Sequence, residues 1–371
     1  MKRLLSLITL FWIASSATLK AQPDDYRAKS WRTVATAMPA EWYGTADAKA
    51  VAETVVQCQK TVGGWPKNKP YHHEFTSSEK AEFEQSKNEI GATIDNGSTT
   101  MEMRFLANVY SRQGGENFRE SFLRGLNYLL EAQYNNGGWP QFYPVRKSSS
   151  VAYSGDITFN DNAMINVMRV LEDVFKNDDQ LTALQLSDEL KEKARLSFDN
   201  GVECLLNTQI RVGGKPTVWC AQHHPQTLQP ANARKYELAS FSGSESVGIV
   251  DLLMDLKNPS PTVIAAVEGA VNWFESHKIE GIRLEKQTDA EGNKDLVVKS
   301  DPDATPLWAR FYDLETERPF FCDRDGIKKN SLAEIGYERR NGYGWYTSSP
   351  SKILANYPKW KAKWVDKNNQ K

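Results

Sequence analysis

The chain has 371 residues, with 46 basic against 47 acidic side chains and a formal net charge of −1. That length allows one large domain or two ordinary ones. The near balance of charge argues against a nucleic-acid binder, which would usually be more basic. Attraction for an anionic substrate must then be local, or carried by a metal ion.

Residues 1–22 read MKRLLSLITLFWIASSATLKAQ. A basic start, an apolar stretch and a small residue at Ala21 predict a secretory signal peptide over 1–21. Its removal, with Lys2, Arg3 and Lys20, takes the net charge to about −4. No later stretch is apolar enough to span a bilayer. We expect a secreted or periplasmic protein with no membrane contact after processing, acting as a monomer. Residues 22–371 are expected to form a single catalytic domain, with 22–45 as a lead-in and 360–371 as a frayed tail.

Three segments then share one pattern: QKTVGGWP (59–66), QYNNGGWP (133–140) and QIRVGGKP (209–216), spaced by 74 and 76 residues. Even spacing of a long pattern signals an internal repeat. Each copy follows an amphipathic run: AVAETVVQCQ, FLRGLNYLLEAQ and FDNGVECLLNTQ. Glycine supplies the positive-φ residue that ends a helix, and proline prevents its continuation. Between the copies lie further helical runs, with apolar residues recurring at three and four. They begin near 99 (TTMEMRFLANVYSRQ), 161 (DNAMINVMRVLEDVF) and 245 (ESVGIVDLLMDL), and PTVIAAVEGAVNWFESHKI ends near 278. Two helices per repeat, about three times over, predict a mainly α antiparallel toroid with few short strands. The Gly-Gly loops and the starts of the alternate helices would then share one rim, where positive helix-dipole ends converge on a groove.

Asp95 and Asn96 precede the run that begins near 99, and Asp161 precedes the next. Aligning Leu106 with Leu171 places Asn96 over Asp161. Such residues cap helices, and the same oxygens can hold a hard cation. A carboxylate has lone pairs for both roles. Asp156 is a weaker candidate ligand.

The four cysteines, Cys58, Cys204, Cys220 and Cys322, are widely spaced with no CxxC pair, which disfavours zinc. We expect mostly buried thiols and one bridge at most. The pairs His72-His73 and His223-His224 read as surface loop residues, and His277 as a helix end. No phosphate loop and no GxSxG occurs, so nucleotide and serine-hydrolase readings lack support. Surface aromatics in an exported protein often stack on sugars, although core packing accounts for most of the 11 Trp, 14 Tyr and 15 Phe.

The motifs GGWPKN (63–68), TIDNGSTT (93–100), NNGGWPQFYP (135–144), ITFNDNAM (157–164), PANARKYE (230–237), WARFYD (308–313), RPFFCDRDG (318–326) and YGWY (343–346) together resemble family 10 polysaccharide lyases. These are pectate lyases with an (α/α)3 toroid, and the likeness covers about 45–350. The resemblance implies calcium-dependent β-elimination on polygalacturonate, an acidic polysaccharide. It implies Asp95, Asn96 and Asp161 as calcium ligands and Arg234 as the Brønsted base that removes the C5 proton. Against that role, arginine is ordinarily always protonated, and Arg234 could instead grip a substrate carboxylate.

Arg310 and Arg318 are expected to clamp uronate carboxylates, since guanidinium matches carboxylate bidentately. Arg318 could also pair with Asp323 or Asp325. Lys67 could reach a second uronate or stay solvated, and Lys235 could turn inward. Trp65 and Trp139 sit in equivalent loops, where either floors the groove or packs beneath its loop; Tyr343 and Trp345 pose the same choice. A two-carboxylate hydrolase drawing on Asp156, Asp161 or Glu237, or a non-catalytic uronate-binding protein, would share the toroid.

Overall fold

The computed structural model describes residues 25–288 and 292–366. The expected signal peptide and the last five residues lie outside them. The described helices run in chain order as α1 (Trp31–Thr36), α2 (Ala46–Gln57), α3 (Ser77–Gln85), α4 (Thr100–Gln113), α5 (Glu116–Glu131) and α6 (Ala163–Lys176). They continue as α7 (Asp179–Thr182), α8 (Asp188–Thr208), α9 (Glu245–Asp255), α10 (Pro261–Ser276), α11 (Tyr337–Gly342) and α12 (Pro350–Trp364). The predicted alternation is present. Helices α4, α6 and α9 pack in chain order as one tier, and α2, α5, α8 and α10 pack in chain order as a second. The fold is the antiparallel toroid expected from the repeat, of the (α/α)3 kind that the resemblance implied.

The reason for the repeated glutamine lies in the packing between units. Gln59 Nε2 donates to Gly63 O at 2.6 Å and to Ser121 O, in the next outer helix, at 2.9 Å. Gln133 does the same with Gly137 O and Ser197 O at 2.9 and 2.8 Å. Gln209 repeats it with Thr217 O and Ala266 O at 2.8 and 2.9 Å. Each amide thus staples its own loop to the following unit and satisfies two carbonyls that would otherwise be costly to bury.

The glycines do not end the helices as predicted. Helix α2 stops at Gln57, well before Gly63. Gly63 and Gly137 are needed because their loops press on the next helix: a Cβ would lie 2.4 Å from Arg124 O and 2.0 Å from Asn200 O. Both also have positive φ, +104° and +87°. The third pair differs, because Gly213 and Gly214 form the turn of a hairpin between Arg211–Val212 and Lys215–Pro216.

Below each loop a tryptophan is wholly buried. Trp65, Trp139 and Trp219 donate their indole N–H at 2.7 Å to Val55 O, Leu129 O and Leu205 O. Their own carbonyls accept from Thr93 N, Thr158 N and Ser242 N at 3.1, 3.1 and 2.8 Å. Those three bonds place the starts of α4, α6 and α9 at equivalent positions on one rim.

Strands are few and mostly two residues long among the described residues. The exception is the hairpin Ile282–Thr288 with Lys294–Ser300, paired antiparallel from Ile282↔Ser300 to Thr288↔Lys294. A second, aromatic core of Tyr236, Phe311, Phe320, Phe321 and Trp345 lies beside the main one. The tail expected to fray from 360 is helical to Trp364, with Trp360 buried. All four cysteines are buried free thiols. His72 and His223 are buried rather than on the surface. His223 accepts from Cys220 N at 3.1 Å and faces Leu228 O at 2.9 Å, and burial lowers its pKa to about 4.

Candidate active site

Helices α2, α8 and α10 are capped by the side chains of Thr45, Ser187 and Ser260. At the rim the N-cap residues Thr99, Asn162 and Ser244 of α4, α6 and α9 make no side-chain cap. Asp95 and Asp161 are therefore not helix caps, contrary to the capping part of the expectation. Each lies instead in a tight turn ahead of the helix, with left-handed Asn96 (φ +54°) and Gly97 (φ +77°) in one and Asp161 (φ +49°) and Asn162 (φ +60°) in the other. Asn and Asp tolerate this conformation better than most residues. The turns leave their side chains free for other partners.

Asp95 is 3% exposed. Its Oδ2 accepts from Lys67 Nζ, and its Oδ1 is buried with no hydrogen-bond partner among the described residues. Asn96 Nδ2 donates to Asn68 Oδ1 at 2.9 Å. Asp161 accepts from Asn160 Nδ2 at 2.8 Å and from Arg310 at 3.2 Å. Glu245, buried at the start of α9, accepts from Arg310 on one oxygen and from Ser242 Oγ on the other. Arg310 is thus the hub of this half of the site. Burial alone would lower its pKa, but Glu245, Tyr343 and Asp161 raise it above the usual guanidinium value.

Arg310 also joins a second cluster, because its guanidinium carbon lies 4.6 Å from the Tyr343 ring centre. Arg234 stands 5.8 Å from the same ring and 4.8 Å from that of Tyr236. Glu237 receives Arg234 as a fork, Nε to Oε2 at 2.7 Å and Nη2 to Oε1 at 2.5 Å, and accepts from Tyr343 Oη at 2.7 Å. Arg339 and Arg324 lie 4.6 and 5.9 Å from the Tyr236 ring. Hydrogen bonding to Glu237 raises the pKa of Arg234, so in this arrangement it is firmly a cation.

The sequence-predicted residues divide accordingly. Asp95, Asn96, Asp161, Lys67, Arg234 and Arg310 lie on or beside the helix-start turns and the Tyr343 cluster. Trp65 and Trp139 are fully buried hydrogen-bonded core residues and floor no groove; Trp345 is likewise core, donating to Arg339 O at 2.9 Å. Lys67 is paired with Asp95 rather than free for a second uronate. Arg318 is exposed on the turn after Tyr312, outside the cluster, and Asp323 accepts from backbone N–H groups of Arg324 and Gly336 instead. Lys235 is exposed and makes no ion pair among the described residues; its carbonyl accepts from the Cys322 thiol at 3.8 Å. Asp156 stands apart near Tyr134 and His224, with burial raising its pKa to about 6.

Glu245, Asn160, Arg324 and Arg339 were not singled out in advance. Glu245 carried a signal, since it opens the third helix of the set that Asp95 and Asp161 precede.

The residues suit a hard cation in kind. The unpartnered Oδ1 of Asp95 is an oxygen donor held ready without a proton donor, and Asn96 and Asp161 add oxygens from the same rim. Among the described residues no group of three or more acidic, histidine or cysteine side chains converges as a preformed cage. Lys67 and Arg310 supply the positive charge there, and calcium sites also use amides, carbonyls, water and ligand carboxylates.

A helical toroid with oxygen donors and clustered arginines on one rim suits an anionic ligand. A family model for pectic acid lyase matches residues 59–354, and the chain belongs to that family. Its activity is that of a pectate lyase. Two solved structures are similar to it, each with a TM-score of 0.74 and 33% identity over 89% of this chain. One is a family 10 polysaccharide lyase from Cellvibrio cellulosa, of which the match covers 94%. The other is a point mutant of the family 10 enzyme from the same organism, covered to 95% and described as a complex with trigalacturonic acid. A search of curated proteins found no match.

Proposed function

We propose that this lyase cleaves α-1,4-linked polygalacturonate by calcium-dependent anti β-elimination, leaving a 4,5-unsaturated uronate at the new chain end. The observation that carries the reading is the pair of guanidiniums, Arg234 and Arg310, about one ring, Tyr343, beside the Asp95 and Asp161 turns. Two fixed cations next to oxygen donors fit a substrate with a carboxylate on every sugar. The galacturonate oligomer held by the Cellvibrio relative supports the same substrate class.

The C5 proton of a uronate becomes removable when the charge of the adjacent carboxylate is offset. Bound at Asp95, Asn96 and Asp161, calcium would supply that offset and help hold the carboxylate in place. Arg310, fixed by Asp161 and Glu245, orients the carboxylate through its guanidinium. Arg234, in the neutral form left after it has given one proton to solvent, takes the proton from C5. The C5–H electron pair forms the C4–C5 double bond as the C4–O pair leaves with the oxygen, which takes its proton from water. Fixed charges complementary to developing charge cost no reorganisation during the reaction. Exposed Arg324 adds positive charge beside the Tyr236 ring, whereas Arg339 is buried and Glu338 pairs with both; we assign to Arg324, rather than to Arg318, the next carboxylate along the chain. The export expected from residues 1–21 suits a polymeric substrate met outside the cell.

The test is an elimination assay with titrated calcium, on polygalacturonate and on its methylated form, reading the ultraviolet absorbance of the conjugated enoate. Calcium-dependent absorbance on polygalacturonate is the expected result. Chain scission without that absorbance would overturn the elimination.

A further inference from the structure

Arg234 has three nitrogens, and two of them are occupied. Nε and Nη2 both donate to Glu237, at 2.7 and 2.5 Å, and the backbone N–H of Arg234 reaches the same carboxylate at 3.2 Å. Nη1 has no hydrogen-bond partner among the described residues. Glu237 is itself 6% exposed and fixed from the other side by Tyr343 Oη at 2.7 Å. The side chain of Arg234 remains 45% exposed, so its open end faces solvent rather than the core.

We propose that Glu237 is the positioning residue for the base. By holding the Nε and Nη2 protons, it confines proton loss and gain to Nη1, the nitrogen open to substrate. The inference rests on the elimination reading above. A guanidine that has lost one proton can place its lone pair on any of its three nitrogens. The fork prevents two of the three arrangements, because a lone pair there would face the carboxylate oxygens. The neutral form therefore carries its lone pair at Nη1, and the reaction puts the C5 proton on that atom. The C5–H bond breaks, an N–H bond forms at Nη1, and the C5–H electron pair becomes the C4–C5 π bond as the C4–O pair leaves on the oxygen, which water protonates. The product is the guanidinium again paired to Glu237.

The arrangement has the logic of a carboxylate that orients a catalytic imidazole and stabilises its protonated form. It makes Arg234 a stronger base and a scarcer one, since the same carboxylate that favours proton uptake keeps most molecules protonated. Other charges press the opposite way. Arg339 and Arg324 sit on the Tyr236 ring and Arg310 on the Tyr343 ring, and Lys235 is the next residue along the chain; Glu338, paired with both Arg324 and Arg339, and Glu245 and Asp161, paired with Arg310, offset part of that charge. Cations so placed favour the neutral form of their neighbour. The balance between the close carboxylate of Glu237 and these partly paired cations sets the pH dependence of the base.

The proposal predicts a signature that loss of structure alone does not produce. Glu237→Gln keeps an oxygen for one N–H but removes the charge and sets an amide N–H against the other. Its turnover number should fall by about a hundredfold, with KM changed much less. The midpoint of the alkaline rise in turnover should move down by about one pH unit. Tyr343→Phe retains the ring between the arginines and removes only the phenol donor. Glu237 then holds the Arg234 proton more firmly, so the midpoint should move upward. The experiment is steady-state kinetics across pH for both variants and the parent, with oligogalacturonate binding and thermal melting measured alongside. Parent-like midpoints in both variants, with activity following only the folded fraction, would overturn the role of Glu237. Should Glu237→Gln not fold, the direction of the Tyr343→Phe shift decides. A parent enzyme that releases no unsaturated product would instead defeat the elimination reading itself.

Discussion

Lys67 and Asp95 form an ion pair at the start of α4, with Asp95 buried and the lysine side chain 37% exposed. The acid is thereby neutralised on one oxygen and left bare on the other. Lys67 can swing into water, whereas Asp95 cannot leave.

Asp95→Ala should abolish calcium-dependent turnover while the fold survives. The substitution removes a buried carboxylate with an unsatisfied oxygen and frees a lysine that solvent can accept. The change in stability should stay within about 1 kcal/mol, because no helix cap is lost. Thermal melting and the elimination assay check the two halves separately. Unchanged activity at low calcium would remove Asp95 from the site.

Arg310 and Arg318 should behave differently. Arg310→Ala leaves Glu245 buried without its cation, a situation that costs about 3–5 kcal/mol. Arg318→Ala touches an exposed side chain and should change stability by less than about 0.5 kcal/mol. Urea unfolding of the two variants makes the comparison, and equal effects would contradict the placement of Arg310 as hub.

Methyl esterification of the substrate should suppress cleavage. It removes the charge that Arg310 and a bound cation would grip. Faster cleavage of highly esterified pectin than of polygalacturonate would contradict the carboxylate-based site.

Stability should fall as the pH rises through the range of Glu102. This residue in α4 is fully buried, accepts from Trp31 Nε1 at 2.6 Å, and has a second oxygen without a partner among the described residues. Burial raises its pKa from 4.5 to about 7. The folded state therefore binds a proton that the unfolded state has released between those values. The stabilisation is present below the unfolded pKa and is lost as pH rises to about 7, by up to ~3 kcal/mol. Glu102→Gln should flatten this dependence and raise the melting temperature above pH 7. A parallel decline in the variant would assign the dependence to other groups.

Helix placement was legible in the sequence because period and breakers agree there. The runs near 99, 161 and 245 are α4, α6 and α9. The purpose of Gln-x3-Gly-Gly was not legible, since the partners of Gln59, Gln133 and Gln209 lie some sixty residues further on. Asp95 and Asp161 stood out by their place before helices as well as by motif resemblance, Arg234 by resemblance, and Arg310 by the fit of guanidinium to carboxylate. For Trp65 and Trp139 the choice between groove floor and core stayed open, because an aromatic in a loop reads the same from sequence whether it faces a sugar or packs below the chain. Arg324 and Arg339 escaped notice because stacking on Tyr236 is set by tertiary packing. Glu237 was visible only as a generic acid, although its position three residues after Arg234 permits the fork.

The glutamine staples bear on how the toroid comes apart. Repeat proteins whose units touch only weakly can unfold piecemeal, one unit after another. Here each amide spans a boundary, so melting one unit also strips donors from carbonyls in the next. Loss of a single staple is then felt on both sides of the seam. The chain should lose its structure in one step, and the active rim, assembled from three consecutive units, should vanish with it rather than ahead of it.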